Sequence, residues 1–195
     1  MNPALRSLLL STTCLLLLAG SAGLSGCGKK APAKPVDYSK SNEVSLALGK
    51  VNREYGLRQV KFEKGDGATI PATIEGSSCQ AGIPGAWKEG YIYFAIAPSF
   101  KASHCREVKV SVNYFDAAPG FFELQFDGSD RAAPGEGAYT RCPKKVTLNG
   151  ARSWETAGFQ LTDTCFENSQ NGNADFRLHF QASEFYVSWV AVSRE

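Results

Sequence analysis

The chain has 195 residues, with 21 Lys and Arg, 19 Asp and Glu, and a net charge of +2 at pH 7. Five of the basic residues and one of the acidic residues fall within the first 40 positions, which leaves 16 basic and 18 acidic residues in the remainder. Nucleic-acid binding depends on a basic surface that neutralises phosphates. The near-neutral remainder therefore argues against a nucleic-acid partner, and its length is enough for one domain with a sizeable core.

Residues 1–26 are predicted to be an export signal. Arg6 supplies the positive start, and the run LLLSTTCLLLLAG is apolar but too short and too interrupted to span a membrane. The run ends at Leu24-Ser25-Gly26-Cys27, which resembles the lipobox of bacterial lipoproteins. The resemblance implies cleavage before Cys27, attachment of a diacylglycerol to its thiol, and a stable membrane anchor. The alternative is an ordinary secretory signal in which Cys27 is incidental.

Residues 27–40 are predicted to be the lipidated cysteine and a flexible tether. GKKAPAKPVDYSK carries four lysines among Ala and Pro and has no apolar periodicity, which is typical of a solvated spacer, with contact to anionic lipid as the alternative. Gly28 follows the cysteine, and in the enterobacterial sorting scheme the absence of Asp there favours the outer membrane. The expected location is the cell envelope, with the anchored domain in the periplasm or at the cell surface.

Residues 41–195 are predicted to form a single all-β domain, because apolar and polar residues alternate in about nine short segments and no stretch has a convincing helical period. REVKVSVNYF and FFELQF are predicted to form an antiparallel hairpin across DAAPG. In FFELQF the alternation places Phe122, Leu124 and Phe126 inward and Glu123 and Gln125 outward. KKVTLNG and WETAGFQL are predicted to form a second hairpin around Asn149-Gly150. The remaining segments are LRQVKF, ATIPATI, YIYFAIA, ADFRLHF and FYVSWVAV. This pattern predicts an antiparallel two-sheet β-sandwich.

The order of several segments also carries a family resemblance. GYIYFAIAPSF, VSVNYFDAAPGFFELQFDGSD, AYT, VTLNGARSWETAGFQLTDTCFENSQNGNADFRL and VSWVAV together resemble the galactose-binding-like jelly roll that accompanies catalytic domains in secreted bacterial glycosidases. The resemblance spans residues 55–192. It implies a jelly-roll sandwich and carbohydrate binding, and it departs from the usual pattern in the WET strand and in four added cysteines.

Those four cysteines, Cys79, Cys105, Cys142 and Cys165, are expected to form two disulfides, because export places them in an oxidising compartment. Cys142 and Cys165 flank the second predicted hairpin, at the open ends of two strands, so this pairing is favoured. Cys79 would then pair with Cys105 around the YIYFAIA strand. A metal site is the alternative, but no suitable Cys/His spacing is present.

A loop rich in acidic residues, QFDGSDRAAPGEG, is a candidate calcium site through Asp127 and Asp130, since calcium prefers clustered carboxylate oxygens and related jelly rolls often hold a structural calcium. A solvated loop is the alternative.

Sugar binding requires a flat aromatic face and side chains that pair with hydroxyls. The candidates are Trp87 in IPGAWKEG, Tyr139 in GEGAYT and Arg177 in DFRLHF. NSQNGNADFR is predicted to be mainly a structural corner, in which Asp175 caps the turn and Arg177 pairs with a neighbouring acid.

No catalytic residue is predicted. The two histidines are His104, beside a predicted disulfide, and His179, on the outward face of a strand, and the chain has no nucleophile elbow or phosphate-binding glycine loop. The sequence therefore predicts a lipid-anchored, non-catalytic protein that binds carbohydrate. The alternative is a structural lipoprotein that docks an envelope protein.

Overall fold

Strands dominate the part of the chain that the structure, a computed structural model, describes: residues 34–101 and 107–194. From Pro35 onward the described residues belong to one compact unit, Pro35–Glu195. The predicted signal, Cys27, His104 and Cys105 lie outside the described residues. Among the described residues, no helix is long and apolar enough to cross a membrane.

The described residues form twelve strands, three more than the alternation predicts. They are β1 (Glu43–Ala47), β2 (Arg53–Tyr55), β3 (Leu57–Val60), β4 (Thr69–Ile74), β5 (Ser77–Gly82), β6 (Glu89–Ile96), β7 (Val108–Phe115), β8 (Pro119–Phe126), β9 (Thr140–Asn149), β10 (Trp154–Leu161), β11 (Phe176–Ala182) and β12 (Tyr186–Arg194). The only α-helix of the described residues is the four-residue α1 (Pro98–Lys101). The unpredicted strands are β1, β2 and β5, of which β2 has only three residues and β5, SSCQAG, contains few strand-favouring residues.

The strands form two antiparallel sheets. The seven-stranded sheet has the order β10-β7-β12-β1-β2, with β5 also paired to β12 and β4 paired to β5. The five-stranded sheet has the order β3-β6-β11-β8-β9. The predicted all-β, two-sheet sandwich is therefore confirmed.

The core lies between the two sheets, where the alternating apolar residues of each strand meet. Its largest contributions come from the inward-facing aromatic rings of β8 and β11 on one side and the valines of β7 and β12 on the other. The predicted inward residues Phe122, Leu124 and Phe126 are all in this core. Tyr38, from the predicted tether, also packs against it, and its backbone N–H donates to Ser99 Oγ at 2.9 Å.

Both predicted hairpins are wrong in their pairing. β7 and β8 lie in different sheets, as do β9 and β10; the actual partners are β7 with β10 and β8 with β9. The turn segments after β7 and β9 therefore carry the chain from one sheet to the other. Asp116 ties these two corners together, because its carboxylate accepts the backbone N–H groups of Asn149, Gly150 and Ala151 at 3.1, 2.8 and 3.2 Å.

Candidate functional site

The outward side chains of β6, β8 and β11 form a surface of aromatic and hydrogen-bonding groups, here called the outer face. Because β11 pairs with β6 on one side and with β8 on the other, residues in register lie side by side across the three strands. The rows across the sheet are Tyr93–Arg177–Gln125, Tyr91–His179–Glu123 and Glu89–Gln181–Phe121. β9 extends the first row with Arg141 and the second with Lys145.

His179 occupies the middle of the outer face. Its ring stacks on Tyr91 with centroids 4.9 Å apart and an interplanar angle of 20°, and Phe121 meets it edge-on at 5.8 Å. Its Nδ1 lies 3.1 Å from Glu123 Oε1 and its Nε2 lies 3.1 Å from Glu89 Oε1. Only the imidazolium form donates to both carboxylates at once, because the neutral ring has a single N–H.

Glu123 is 6 % exposed and forms the floor of the outer face. Desolvation alone would raise the pKa of its carboxyl, but hydrogen bonds from His179 and Gln125 and the nearby charge of Arg141 hold the pKa below its ordinary value. The ionised carboxylate is thus the form that the folded protein favours.

Replacing the Glu123 carboxylate is expected to remove a contribution to the free energy of unfolding that depends on pH. Since the folded pKa of Glu123 is lowered, its contribution is present above the ordinary value near 4.5 and is lost as the pH falls through the folded pKa. We expect Glu123→Gln to lower the free energy of unfolding by about 1–3 kcal/mol at pH 7 and by progressively less as the pH falls through the folded pKa. Urea denaturation over a series of pH values measures this, with the exposed Glu63→Gln as control; a loss that does not change with pH would contradict it.

Arg177 lies between two tyrosine rings, and its predicted pairing with an acid is wrong. Its guanidinium carbon is 3.9 Å from the ring centroid of Tyr91 and 4.1 Å from that of Tyr139. Gln125 Oε1 accepts from its Nε at 2.8 Å and its Nη2 at 2.6 Å, and the Tyr93 hydroxyl accepts from its Nη1 at 2.8 Å. No described Asp or Glu forms an ion pair with it.

Tyr91 and Tyr93 provide neutral hydroxyls on the outer face. Burial raises the pKa of both phenols, and the positive charge of Arg177 only partly offsets this. Both groups therefore stay protonated at neutral pH and can donate as well as accept hydrogen bonds.

Trp87 projects at the rim of the same face. Its side chain is 84 % exposed, it has a positive φ of 63° within the turn Ala86–Lys88, and its backbone carbonyl accepts from Gln181 Nε2 at 3.4 Å. The three predicted ligand contacts, Trp87, Tyr139 and Arg177, thus lie on one face of one sheet. At this exposure the ring of Trp87 contributes little to packing and is accessible to a ligand.

The predicted corner at NSQNGNADFR folds around Asp175. Asp175 is fully buried, and its carboxylate accepts from the backbone N–H groups of Ile96 and Asn168 at 2.8 and 3.1 Å and from Lys101 Nζ at 3.0 Å. The corner also holds Tyr139, whose hydroxyl hydrogen-bonds to Asn171. The corner therefore helps to position Tyr139, one of the residues that contact Arg177.

The two predicted calcium ligands, Asp127 and Asp130, differ in their exposure and in their hydrogen-bond partners. Asp127 is fully buried, with one carboxylate oxygen accepting the backbone N–H groups of Glu167 and Ser169 and the other without a hydrogen-bond partner. Asp130 is exposed and accepts the backbone N–H of Ala132 at 2.9 Å. Among the described residues, no group of three or more His, Cys, Asp or Glu is placed to share a metal. Calcium binding stays a prediction that these side chains do not by themselves support.

Neither favoured disulfide is present, and the described residues contain no disulfide bond. Cys142 faces inward on β9, and its thiol donates to the carbonyl of Gln160 at 3.7 Å. It is not joined to Cys165, because β9 and β10 belong to different sheets and their ends are not the paired strand ends that the predicted hairpin would provide. Cys79 is a buried free thiol on β5, whereas Cys105 lies outside the described residues. Burial raises the pKa of both Cys79 and Cys142, which makes them poor nucleophiles.

Sequence reasoning missed most of the outer face. The missed residues are Glu89, Tyr91, Tyr93, Phe121, Glu123, Gln125, Arg141, Lys145 and His179. The alternation places Glu123, Gln125 and His179 outward, as they are, but no role was predicted for them from the sequence. The available signal was that the outward positions of YIYFAIA, FFELQF and DFRLHF combine aromatic with charged residues, which a merely solvated face does not require.

Comparison with known proteins gives matches among solved structures only. No family model and no curated protein matches the chain. The family 29 carbohydrate-binding module CBM29_1 from Piromyces equi is 9% identical, with a TM-score of 0.45, over 78% of this chain and 91% of the module. The C-terminal CBM6 of the laminarinase LamC from Zobellia galactanivorans is 11% identical, with a TM-score of 0.34, over 78% of this chain and 100% of that chain. The K1 adhesin domain of Lys-gingipain from Porphyromonas gingivalis is 7% identical, with a TM-score of 0.40, over 78% of this chain and 95% of the domain. Similarity at this level does not assign the chain to any of these families.

Proposed function

We propose that this domain binds a carbohydrate on the outer face of its five-stranded sheet, without catalysis. The observation that carries the proposal is the combination of half-buried Tyr91 and Phe121 rings with a floor of polar side chains, beside the exposed ring of Trp87. Sugar rings present C–H groups to aromatic faces and hydroxyls to polar groups, so they require both kinds of contact at once.

The polar floor is fixed before a ligand arrives. His179, Glu123 and Gln125 are at most 7 % exposed and hydrogen-bond to one another, so their side chains lose little further freedom on binding. A buried and satisfied hydrogen-bond network makes this surface rigid, and rigidity favours ligand binding.

In this proposal the chain is held in the cell envelope through a lipid on Cys27, and the tether presents the domain in the periplasm or at the cell surface. The support is the lipobox-like sequence Leu24-Ser25-Gly26-Cys27. The alternative, docking of an envelope protein, is an outcome of the binding experiment below.

The test is affinity electrophoresis of the chain from residue 28 onward through gels that contain a panel of neutral and acidic polysaccharides, with and without chelator. We expect retardation by at least one polymer. Trp87→Ala and Tyr91→Ala should each weaken that interaction by about 10- to 30-fold, since a central aromatic contact is typically worth about 2 kcal/mol.

The matched control is Tyr55→Ala. Tyr55 is 55 % exposed but lies on β2 of the other sheet, so its removal should leave retardation unchanged. Lack of retardation by every polymer would reject carbohydrate binding and favour the envelope-protein alternative. Loss of retardation with chelator would indicate that calcium takes part.

A further inference from the structure

Arg177 carries a positive charge on the outer face and forms no ion pair with a carboxylate of the described residues. Its guanidinium is half-buried between the rings of Tyr91 and Tyr139, at 3.9 and 4.1 Å from their centroids. Among the described residues its hydrogen-bond acceptors are the uncharged Gln125 and Tyr93. A cation removed from water in this way is ordinarily paired with an anion.

The donors of Arg177 are only partly used. Of the five N–H groups of a guanidinium, the contacts to Gln125 and Tyr93 occupy the Nε–H, one N–H of Nη2 and one of Nη1. One N–H on each terminal nitrogen is left for a ligand. Guanidinium N–H groups donate strongly to the oxygens of planar anionic groups.

The carboxylates on the strands of the outer face already have partners other than Arg177. Glu123 Oε1 lies 3.1 Å from His179 Nδ1 and 3.7 Å from Arg141 Nε, and Glu89 lies 3.1 Å from His179 Nε2. Asp66, at the rim, forms no ion pair with a cation of the face among the described residues.

A second unbalanced cation lies two strands away. Lys145 on β9 is exposed, and its Nζ lies 3.7 Å above the ring centroid of Phe121 without an ion pair in the described part of the chain. Two strand spacings put it about 10 Å from the Arg177 strand. Arg177 and Lys145 are thus two cations of the outer face that form no ion pair among the described residues.

We propose that the ligand of the outer face is an acidic polysaccharide, whose anionic sugar substituent binds the free N–H groups of Arg177 while a neighbouring anionic residue of the polymer approaches Lys145. This proposal rests on the carbohydrate-binding function proposed above. A neutral sugar would pair with the N–H groups but would leave both charges unbalanced, whereas a carboxylate or sulfate group satisfies the donors and the charge together.

The first test compares polymers that differ only in charge. Affinity electrophoresis or calorimetry with polygalacturonate and its fully methyl-esterified form, and with dextran sulfate and dextran, separates carboxylate from sulfate as the anionic group. We expect the acidic member of at least one pair to bind 10-fold or more tightly than its neutral partner, with an affinity that falls as salt is raised.

The outcomes separate this inference from the proposed function. Equal binding to acidic and neutral members, or preference for the neutral ones, would overturn the inference and leave carbohydrate binding in place. Absence of binding to every polymer, including the neutral panel, would overturn both.

The second test uses variants of the cations. Arg177→Gln keeps hydrogen-bonding capacity but removes the charge, so the ratio of acidic to neutral affinity should fall about 10-fold; Arg177→Lys should keep part of the ratio. Lys145→Gln should lower it by a smaller factor. Arg131→Gln is the control, because Arg131 is an exposed loop cation that pairs with Glu167 away from the face.

An unchanged ratio in folded Arg177→Gln would overturn the role of this residue. Near-ultraviolet circular dichroism checks that each variant keeps its aromatic packing. Should Arg177→Gln fail to fold, Lys145→Gln and the paired polymers on the unaltered chain still decide the proposal, because Lys145 is exposed and makes no hydrogen bond that folding requires.

Discussion

Asp175→Ala is expected to lower the free energy of unfolding by about 3–5 kcal/mol, because it removes one partner of a buried ion pair and leaves the other charge uncompensated. The side chain of Asp175 is fully buried, and that of Lys101, whose Nζ is 3.0 Å away, is only 13 % exposed. The same carboxylate accepts the backbone N–H of Ile96 at 2.8 Å, so its loss also leaves a buried donor at the end of β6 without a partner. Urea denaturation at pH 7 measures the change.

The exposed ion pair Arg131–Glu167 provides the matched control. Its side chains are 60 % and 58 % exposed with N and O 3.4 Å apart, so Glu167→Ala should cost no more than about 1 kcal/mol. Combining Asp175→Ala with Lys101→Met should cost less than the sum of the single changes, because the double variant leaves neither charge unpaired. Full additivity would show that the pair is not coupled.

Phe180→Ala is expected to cost a similar amount, about 3–5 kcal/mol, through loss of a buried ring and the cavity that remains. Phe180 is fully buried and stacks on Phe185 with centroids 4.9 Å apart. Its ring fills a slot that exists because Gly82 and Gly90 lack side chains. A Cβ atom at either glycine would come within 2.5 Å or 2.4 Å of the ring, respectively. Thermal and urea unfolding measure the loss.

The close approach of Gly90 to the Phe180 ring can be tested by a second substitution. Gly90→Ala alone should destabilise the domain by about 1–3 kcal/mol, because the added methyl group clashes with the ring. In the Phe180→Ala background the same change should cost markedly less, since the clashing ring is gone. An equal cost of Gly90→Ala in both backgrounds would contradict the packing described here.

The alternation of apolar and polar residues predicted where strands lie much better than how they pair. VKVSVNYF and FFELQF are strands as expected, with Val110 and Leu124 in the core. Their pairing as a hairpin was wrong because a short turn can also connect two sheets at a corner, and the choice depends on contacts made by other strands. The hydrogen bonds of Asp116 to residues 149–151 are such contacts, and no local sequence pattern predicts them.

The cysteine prediction was wrong for a related reason. Export makes disulfides chemically possible, but a bond also requires two Cβ atoms within about 4.5 Å, and this proximity follows from the strand pairing. Once β9 and β10 are assigned to different sheets, Cys142 faces the core and hydrogen-bonds to Gln160.

The candidate site was predicted in its parts and not as a whole. Trp87, Tyr139 and Arg177 were chosen as separate residue types suited to a sugar, and the structure places them on one face of one sheet. The aromatic and charged residues around them were missed, because the outward positions of a strand are read by default as solvated.

The class of fold and the inward residues of most strands could be predicted from the sequence, because alternation with a period of two is a local property of each strand. The sheet partners and the ion pairs of the outer face could not, because they depend on contacts between strands that are distant in the chain. Gln125 and Arg177 are 52 positions apart in the chain, and Glu89 and His179 are 90 positions apart. Whether a cation in such a set has an anionic partner depends on which strands are neighbours. That Arg177 has uncharged hydrogen-bond partners therefore could not be predicted from the sequence.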